Sequence, residues 1–203
     1  MIDAVFATPV YKSDNLYKLN EEQLQYLKTL EMIKNKGGNY LTTRKDIMDD
    51  KPMEDFKHWC LLNVRAFAKQ LGASERTSFY ITQSWMNRNP PHSYHHTHMH
   101  PNSIFSCIYY VEGDKCPTYF YRYDDRTSFG NFAFYENDKG STAFTATKAA
   151  GVMNEVGRLV IFPSSMVHDV DTNESNKDRV TISFNTFIRG EMGEPENSNH
   201  LII

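Results

Sequence analysis

The sequence predicts a mainly β protein with helices, an antiparallel sandwich or barrel with its N-terminal helices packed outside. Three observations predict it. Apolar residues recur at helical spacing in the first third, a period of two takes over from Thr77, and short apolar or aromatic runs then alternate with turn clusters. Helices followed by many short strands suit a layered α+β arrangement, with the apolar stripes of the helices covering one sheet. At 203 residues the chain is long enough for one domain with a sizeable core. A single domain, 1–203, is expected, with a helical part over about 15–75 and a barrel over about 77–190.

The elements follow in order. Residues 4–11 are apolar with Pro9 inside, which suits an edge strand or extended arm. Asn20 can cap a helix, with Gln23 three residues on to complete a capping box. Leu24, Leu27 and Leu30 then step at helical spacing, and Lys36-Gly37-Gly38-Asn39 reads as the end of that element. A second helix opens near Pro52, carries Met53, Phe56, Cys60, Val64, Phe67 and Leu71 on one stripe, and stops at Gly72. In the strand that follows, Phe79, Ile81, Gln83 and Trp85 share one face, and Tyr80, Thr82, Ser84 and Met86 the other.

Further strands are expected over 104–111, 118–123, 159–162 and 180–188, separated by clusters such as Glu112-Gly113-Asp114 and Asn137-Asp138-Lys139-Gly140. Residues 126–156 mix aromatics with Ser, Thr, Gly and Asn, and read as a hairpin or a loop that gates an active site. The tail after Gly190 is polar until Leu201-Ile202-Ile203 and is expected to be loosely held.

Composition narrows the function. A net charge of -3 and a pI near 6.2 argue against a general electrostatic grip on nucleic acid. Cys60, Cys107 and Cys116 are odd in number and form no CxxC pair, so neither a zinc knuckle nor a disulfide framework is indicated. Buried thiols in a reducing compartment follow. The N-terminus lacks a basic start with a long apolar run, and no segment has the apolar length of a membrane span. A soluble cytoplasmic protein, without membrane contact, is the expectation.

Five of the eight histidines lie between His92 and His100. A solvated His-rich loop is one reading of such a tract. The spacing supports another. In an extended chain, residues i and i+2 point the same way at roughly 6.5 Å, so two imidazoles can bite one metal ion. His96 with His98 and His98 with His100 are both candidate pairs. The second adjoins the strand expected near Ser103 and is followed by the rigid Pro101, which favours it. His168, at the end of a strand and proline turn, is the candidate third ligand. On the last strand, Val180, Ile182 and Phe184 face one way, and Arg179, Thr181, Ser183 and Asn185 the other. Arg179 offers a planar fork for a carboxylate, with Thr181 or Ser183 adding a hydroxyl.

These motifs together resemble a family of 2-oxoglutarate/Fe(II)-dependent oxygenases found in bacteria and tailed phages. Its pattern is an HxHPxS segment leading into an SGxYY-like strand, a D-x-R, FPxxxxH, and an RxxxSFN strand. Here these are His98-Met99-His100-Pro101-Asn102-Ser103, Ser106-Cys107-Ile108-Tyr109-Tyr110, Asp124-Asp125-Arg126, Phe162-Pro163 through His168, and Arg179 through Asn185. Phe6-Ala7-Thr8-Pro9-Val10-Tyr11 and Ser84-Trp85-Met86-Asn87 are similar to further segments of the family, and Cys107 stands where it usually has glycine.

The resemblance implies a double-stranded β-helix, a squashed jelly-roll barrel related to the cupins. It implies Fe(II) held by His98, His100 and His168, and 2-oxoglutarate anchored by Arg179. Thr181, Ser183, Tyr110, Asn87 and Trp85 are the expected neighbours of that cosubstrate. O2 would be the oxidant, and a small molecule or peptide the hydroxylated substrate. Many such barrels pair, so a homodimer is a further expectation, in the host cytoplasm if the chain is phage-encoded. The wider superfamily commonly uses two histidines and a carboxylate. His100 stands in the carboxylate's place here, and Asp125 or Asp169 are the alternatives. Competing functions are a cupin-like metal dioxygenase or isomerase that does not use 2-oxoglutarate, a non-catalytic metal-binding barrel module, and a nucleic-acid demethylase.

Overall fold

The chain enters along β1 (Tyr11–Lys12), two residues past Pro9, and this short strand forms the edge of the larger sheet. Proline before rather than within the paired residues leaves the ladder its donors. The computed structural model describes residues 7–113, 116–121, 148–149 and 153–203. The turn cluster at 137–140, Asp125 and most of the candidate gating segment 126–156 lie outside the described residues.

The capping box at Asn20 starts α1 (Glu21–Thr29): Asn20 Oδ1 accepts from the Gln23 amide at 2.8 Å, and Gln23 Oε1 from the Asn20 amide at 3.0 Å. The helix buries Gln23 and Leu27, while Leu24 is turned outward. Residues 36–39 do not end it. They lie in the turn of a hairpin between β2 (Met32–Lys34) and β3 (Tyr40–Thr42), closed by the Asn35 amide on the Asn39 carbonyl at 2.7 Å. A glycine pair serves a hairpin as well as a helix stop, so composition did not separate the two.

Two single 3-10 turns, the second containing Pro52, lead into α2 (Glu54–Gln70). Met53, Phe56, Cys60, Val64 and Phe67 are fully buried or nearly so, whereas Leu71 lies past the last turn and is exposed. The stripe meets the larger sheet through edge-on and tilted aromatic contacts, Phe56 with Tyr109 at 4.6 Å and Phe67 with Phe105 at 5.1 Å.

The strands that follow are β4 (Thr77–Asn89), β5 (His95–His98), β6 (Phe105–Glu112), β7 (Thr118–Tyr121), β8 (Lys148–Ala149), β9 (Leu159–Pro163), β10 (His168–Val170), β11 (Arg179–Met192) and β12 (Leu201–Ile202). The larger sheet runs β1-β9-β6-β11-β4-β3-β2, with β12 added to β11, and the smaller runs β5-β10-β7-β8. The C-terminal tail is therefore tied down: Ile203 and Gly190 exchange backbone bonds at 2.9 and 3.0 Å. The sheets face each other and, among the described residues, do not join into one hydrogen-bonded ring, the double-stranded β-helix arrangement with α2 outside.

Alternation on the central strands builds two cores. Phe105, Cys107, Tyr109, Leu159, Ile161, Ile182 and Phe184 point to the helices, while Ile108, Tyr110, Val160 and Phe162 point between the sheets to meet Phe120. On β4 a bulge breaks the expected alternation. Pairing steps from Asn185–Gln83 to Thr186–Ile81, leaving Thr82 as the extra residue. Phe79 and Ile81 consequently share the helix side with Met86, and Trp85 turns into the space between the sheets. The face assignment made from strict alternation thus fails across this one residue. All three cysteines are free and buried. Among the described residues, no helix is long and apolar enough to cross a membrane.

Candidate metal centre

The space between the sheets is polar at one end, and its histidines arrive there by pairing rather than by proximity in sequence. In β10, His168 is opposite His98 of β5, and it is also paired with Phe120 of β7. His100 follows two residues after β5, its amide bonded to the Ser164 carbonyl at 3.0 Å. The ligand atoms of His98, His100 and His168 all lie within 4.8 Å of one another. Their ring centroids are 5.0 Å (98–100), 4.3 Å (98–168) and 5.1 Å (100–168) apart.

Backbone carbonyls fix the tautomers of two of these rings. His98 Nδ1 lies 2.7 Å from the His96 carbonyl and His168 Nδ1 2.9 Å from the Met166 carbonyl. A carbonyl only accepts, so each Nδ1 carries the proton and each Nε2 keeps a free lone pair. His100 is held differently. Trp85 stacks on it at 5.5 Å with the planes 18° apart. Asn185 lies beside it, its Oδ1 accepting from Ser106 Oγ at 3.0 Å and its Nδ2 donating to Gln83 Oε1 at 3.1 Å.

All of these imidazoles are kept neutral. Burial, then the neighbouring His98, pushes His100 down to about 4, with the Asn185 amide acting in the opposite direction. Burial and His98 push His168 down to about 3, and burial lowers His98 as well. His95 falls to about 2 through burial and then the other rings. Neutral imidazole is the form that binds metal. It also makes acid destabilising. In the unfolded chain these groups titrate near 6.5, so below that pH the unfolded state holds protons that the folded state refuses. The metal-free protein is expected to lose stability as pH falls from about 6.5 toward about 4, and to show no histidine-linked change above about pH 7.5. Urea midpoints across that range check this, and a midpoint flat between the two ends would contradict the neutral assignment.

Arg179 opens β11 at the other end of the same space. It is 2% exposed, yet Nη2 donates to Thr118 Oγ1 at 3.1 Å and Nε to Asn154 Oδ1 at 3.3 Å, both neutral groups. The guanidinium carbon sits 5.4 Å from the Tyr110 ring centre. Among the described residues it has no carboxylate partner. Gly113 makes room for it: a Cβ there would fall 2.9 Å from Arg179 Cα, at a φ of +124°. A buried cation balanced only by dipoles carries a desolvation cost that an incoming anion would offset.

The other candidates take several positions. Thr181 and Ser183 line the space beside Arg179. Asn87 donates to Ser183 Oγ at 3.0 Å, and its Oδ1 is buried without a partner among the described residues. Tyr110 is wholly buried, its hydroxyl 3.3 Å from Thr118 Oγ1. Asp169 is outside the cluster. It sits on the opposite face of β10 from His168, with its Oδ2 engaged by Tyr121 and, at 3.3 Å, by Thr97. Sequence reasoning missed His95, Thr118 and Asn185. His95 enters because His168–His98 and Val170–His95 pairings leave β5 with one extra residue, a bulge that alternation does not foresee. Thr118 was legible only as one more strand residue. Asn185 shares the Arg179 face by alternation, and the sequence alone assigns it no role.

No curated protein matches the sequence. Among solved structures, an oxidoreductase of the 2OG-Fe(II) oxygenase family from Burkholderia pseudomallei is 12% identical with a TM-score of 0.59, over 87% of this chain and 83% of that one. HygX from Streptomyces hygroscopicus, with nickel, 2-oxoglutarate and hygromycin B bound, is 11% identical with a TM-score of 0.57, over 88% and 82%. A Pseudomonas putida prolyl-4-hydroxylase is 11% identical with a TM-score of 0.55, over 88% and 92%. At such identities these likenesses concern the fold. The sequence itself matches the family described as "Putative 2OG-Fe(II) oxygenase" over residues 83–185, just over half of the chain. That stretch begins in β4 and ends in β11, enclosing the histidine strands and the buried arginine. The chain belongs to the 2OG-Fe(II) oxygenase family.

Proposed function

We propose that this protein oxidises, by hydroxylation, a small-molecule or peptide substrate with O2 and 2-oxoglutarate at an Fe(II) centre. The observation that carries the reading is the pairing of two needs in one space. Three neutral imidazoles offer lone pairs to a cation, and a buried guanidinium has no carboxylate partner among the described residues.

The residues fit both groups. His98, His100 and His168 would hold the iron, with the carbonyls of His96 and Met166 fixing two of the rings so that little reorganisation accompanies binding. Arg179 would take the far carboxylate of 2-oxoglutarate, with Thr181 and Ser183 as hydroxyl neighbours and Tyr110 supporting the guanidinium. Trp85 holds the plane of His100, and Asn87 braces Ser183. Bound iron with 2-oxoglutarate would supply the activation of O2, and an all-histidine set leaves that centre one unit more positive than a set containing a carboxylate. Ile108, Phe162 and Val170 line the same space and keep water out.

A cupin-like oxidation without 2-oxoglutarate would use the same histidines but gives the buried Arg179 nothing to bind. The test is direct. Untagged protein loaded with Fe(II) under anaerobic conditions and then exposed to O2 and 2-oxoglutarate is expected to form succinate, slowly even without its substrate. Metal-loaded, folded protein that makes none would reject the reading.

A further inference from the structure

A second set of three imidazoles lies beside the first. The ligand atoms of His95, His96 and His98 also fall within 4.8 Å of one another. Their ring centroids are separated by 5.2 Å (95–96), 4.4 Å (95–98) and 5.5 Å (96–98). The bulge in β5 creates this set by bringing His95 to the side of His98. It is the more open of the two: His96 is exposed and His95 and His98 are partly covered, whereas His168 in the inner set is 3% exposed.

The two sets have His98 in common. Its Nδ1 is committed as a donor to the His96 carbonyl, so the ring has one lone pair to give. One imidazole lone pair serves one ion. We propose that His95, His96 and His98 form an outer divalent-metal site, mutually exclusive with the inner His98–His100–His168 site because both require His98. An ion held outside leaves the inner set one ligand short. Imidazole sets of this kind bind zinc, nickel, cobalt and copper more tightly than Fe(II), so any such ion held at the outer position would keep Fe(II) from the inner one.

The cosubstrate biases the competition. His95 lines the same space as Arg179. A diacid held by Arg179 would occupy the space that His95 also lines, and would therefore favour the inner position. This inference rests on the inner set being a metal site, and the test separates the two.

The untagged chain is titrated anaerobically with Co(II), followed by visible absorption. Wild type is expected to take up one Co(II) per chain. His168→Ala should still take up one, with an altered band and an affinity weaker by about tenfold or more. His100→Ala, at a less buried position, should behave alike and guards against a folding defect in the first variant. Adding His96→Ala to either should abolish uptake, since the His96 carbonyl survives the change and only the outer ligand is lost. 2-Oxoglutarate should tighten binding in wild type and not in His168→Ala. Two Co(II) per wild-type chain would overturn mutual exclusion. Folded inner-set variants that bind no Co(II) would overturn the outer site while leaving the inner one intact. Inner-set variants indistinguishable from wild type in affinity and spectrum would overturn the inner set, and the competition with it.

Discussion

Alanine in place of His168 is expected to reduce metal-dependent succinate formation by far more than about a hundredfold, the scale on which even outer-shell partners of a metal ligand act. His168 is the only member of the inner set that is itself in a strand paired on both sides, to His98 and to Phe120. Its ring is wedged edge-on against Phe162 at 4.8 Å and its Nδ1 is tied to the Met166 carbonyl. His98 and His100 are held by their own partners and do not replace it. Succinate measured by NMR, beside metal content and circular dichroism, checks the outcome. Undiminished turnover by a folded His168→Ala protein would remove His168 from the centre. Metal content alone does not decide the matter, since the outer histidines are expected to retain an ion.

Methionine at position 179 is expected to raise the 2-oxoglutarate concentration for half-maximal turnover by about a hundredfold, the size expected when one member of a buried charge pair is truncated. Methionine keeps much of the aliphatic volume against Tyr110 but removes the charge. Arg179→Lys should recover part of the loss, because a single ammonium cannot reproduce the planar fork. Stability provides the control. In the absence of the diacid, Arg179 has only Thr118 and Asn154 as hydrogen-bond partners among the described residues, so removing the buried cation should cost the free protein little. An unchanged 2-oxoglutarate dependence in Arg179→Met would favour the cupin-like alternative.

Much of the scaffold was legible because it is set by local physics. The Asn20 capping box, the α2 stripe from Met53 to Phe67 and the alternation of β11 each express a period that a single element imposes on its own residues. The errors lie where one extra residue or one turn changed the phase. Thr82 shifted β4 so that Trp85 faces the centre while Phe79 and Ile81 do not, and a glycine pair expected to stop a helix made a hairpin instead. A bulge leaves no reliable mark in composition, since its cause is the register of the neighbouring strand.

By itself the sequence determined which residue types can do the chemistry: a histidine-rich strand, a lone histidine after a proline turn, and an arginine at the head of a strand with a polar face. Order along the chain linked these to the family. Only the tertiary structure decided which histidines meet. Antiparallel pairing put His168 opposite His98, a bulge added His95, and packing buried Arg179 with no carboxylate beside it among the described residues. Convergence of residues seventy or more positions apart depends on strand register, and register is fixed by packing between sheets rather than by any local run of residues.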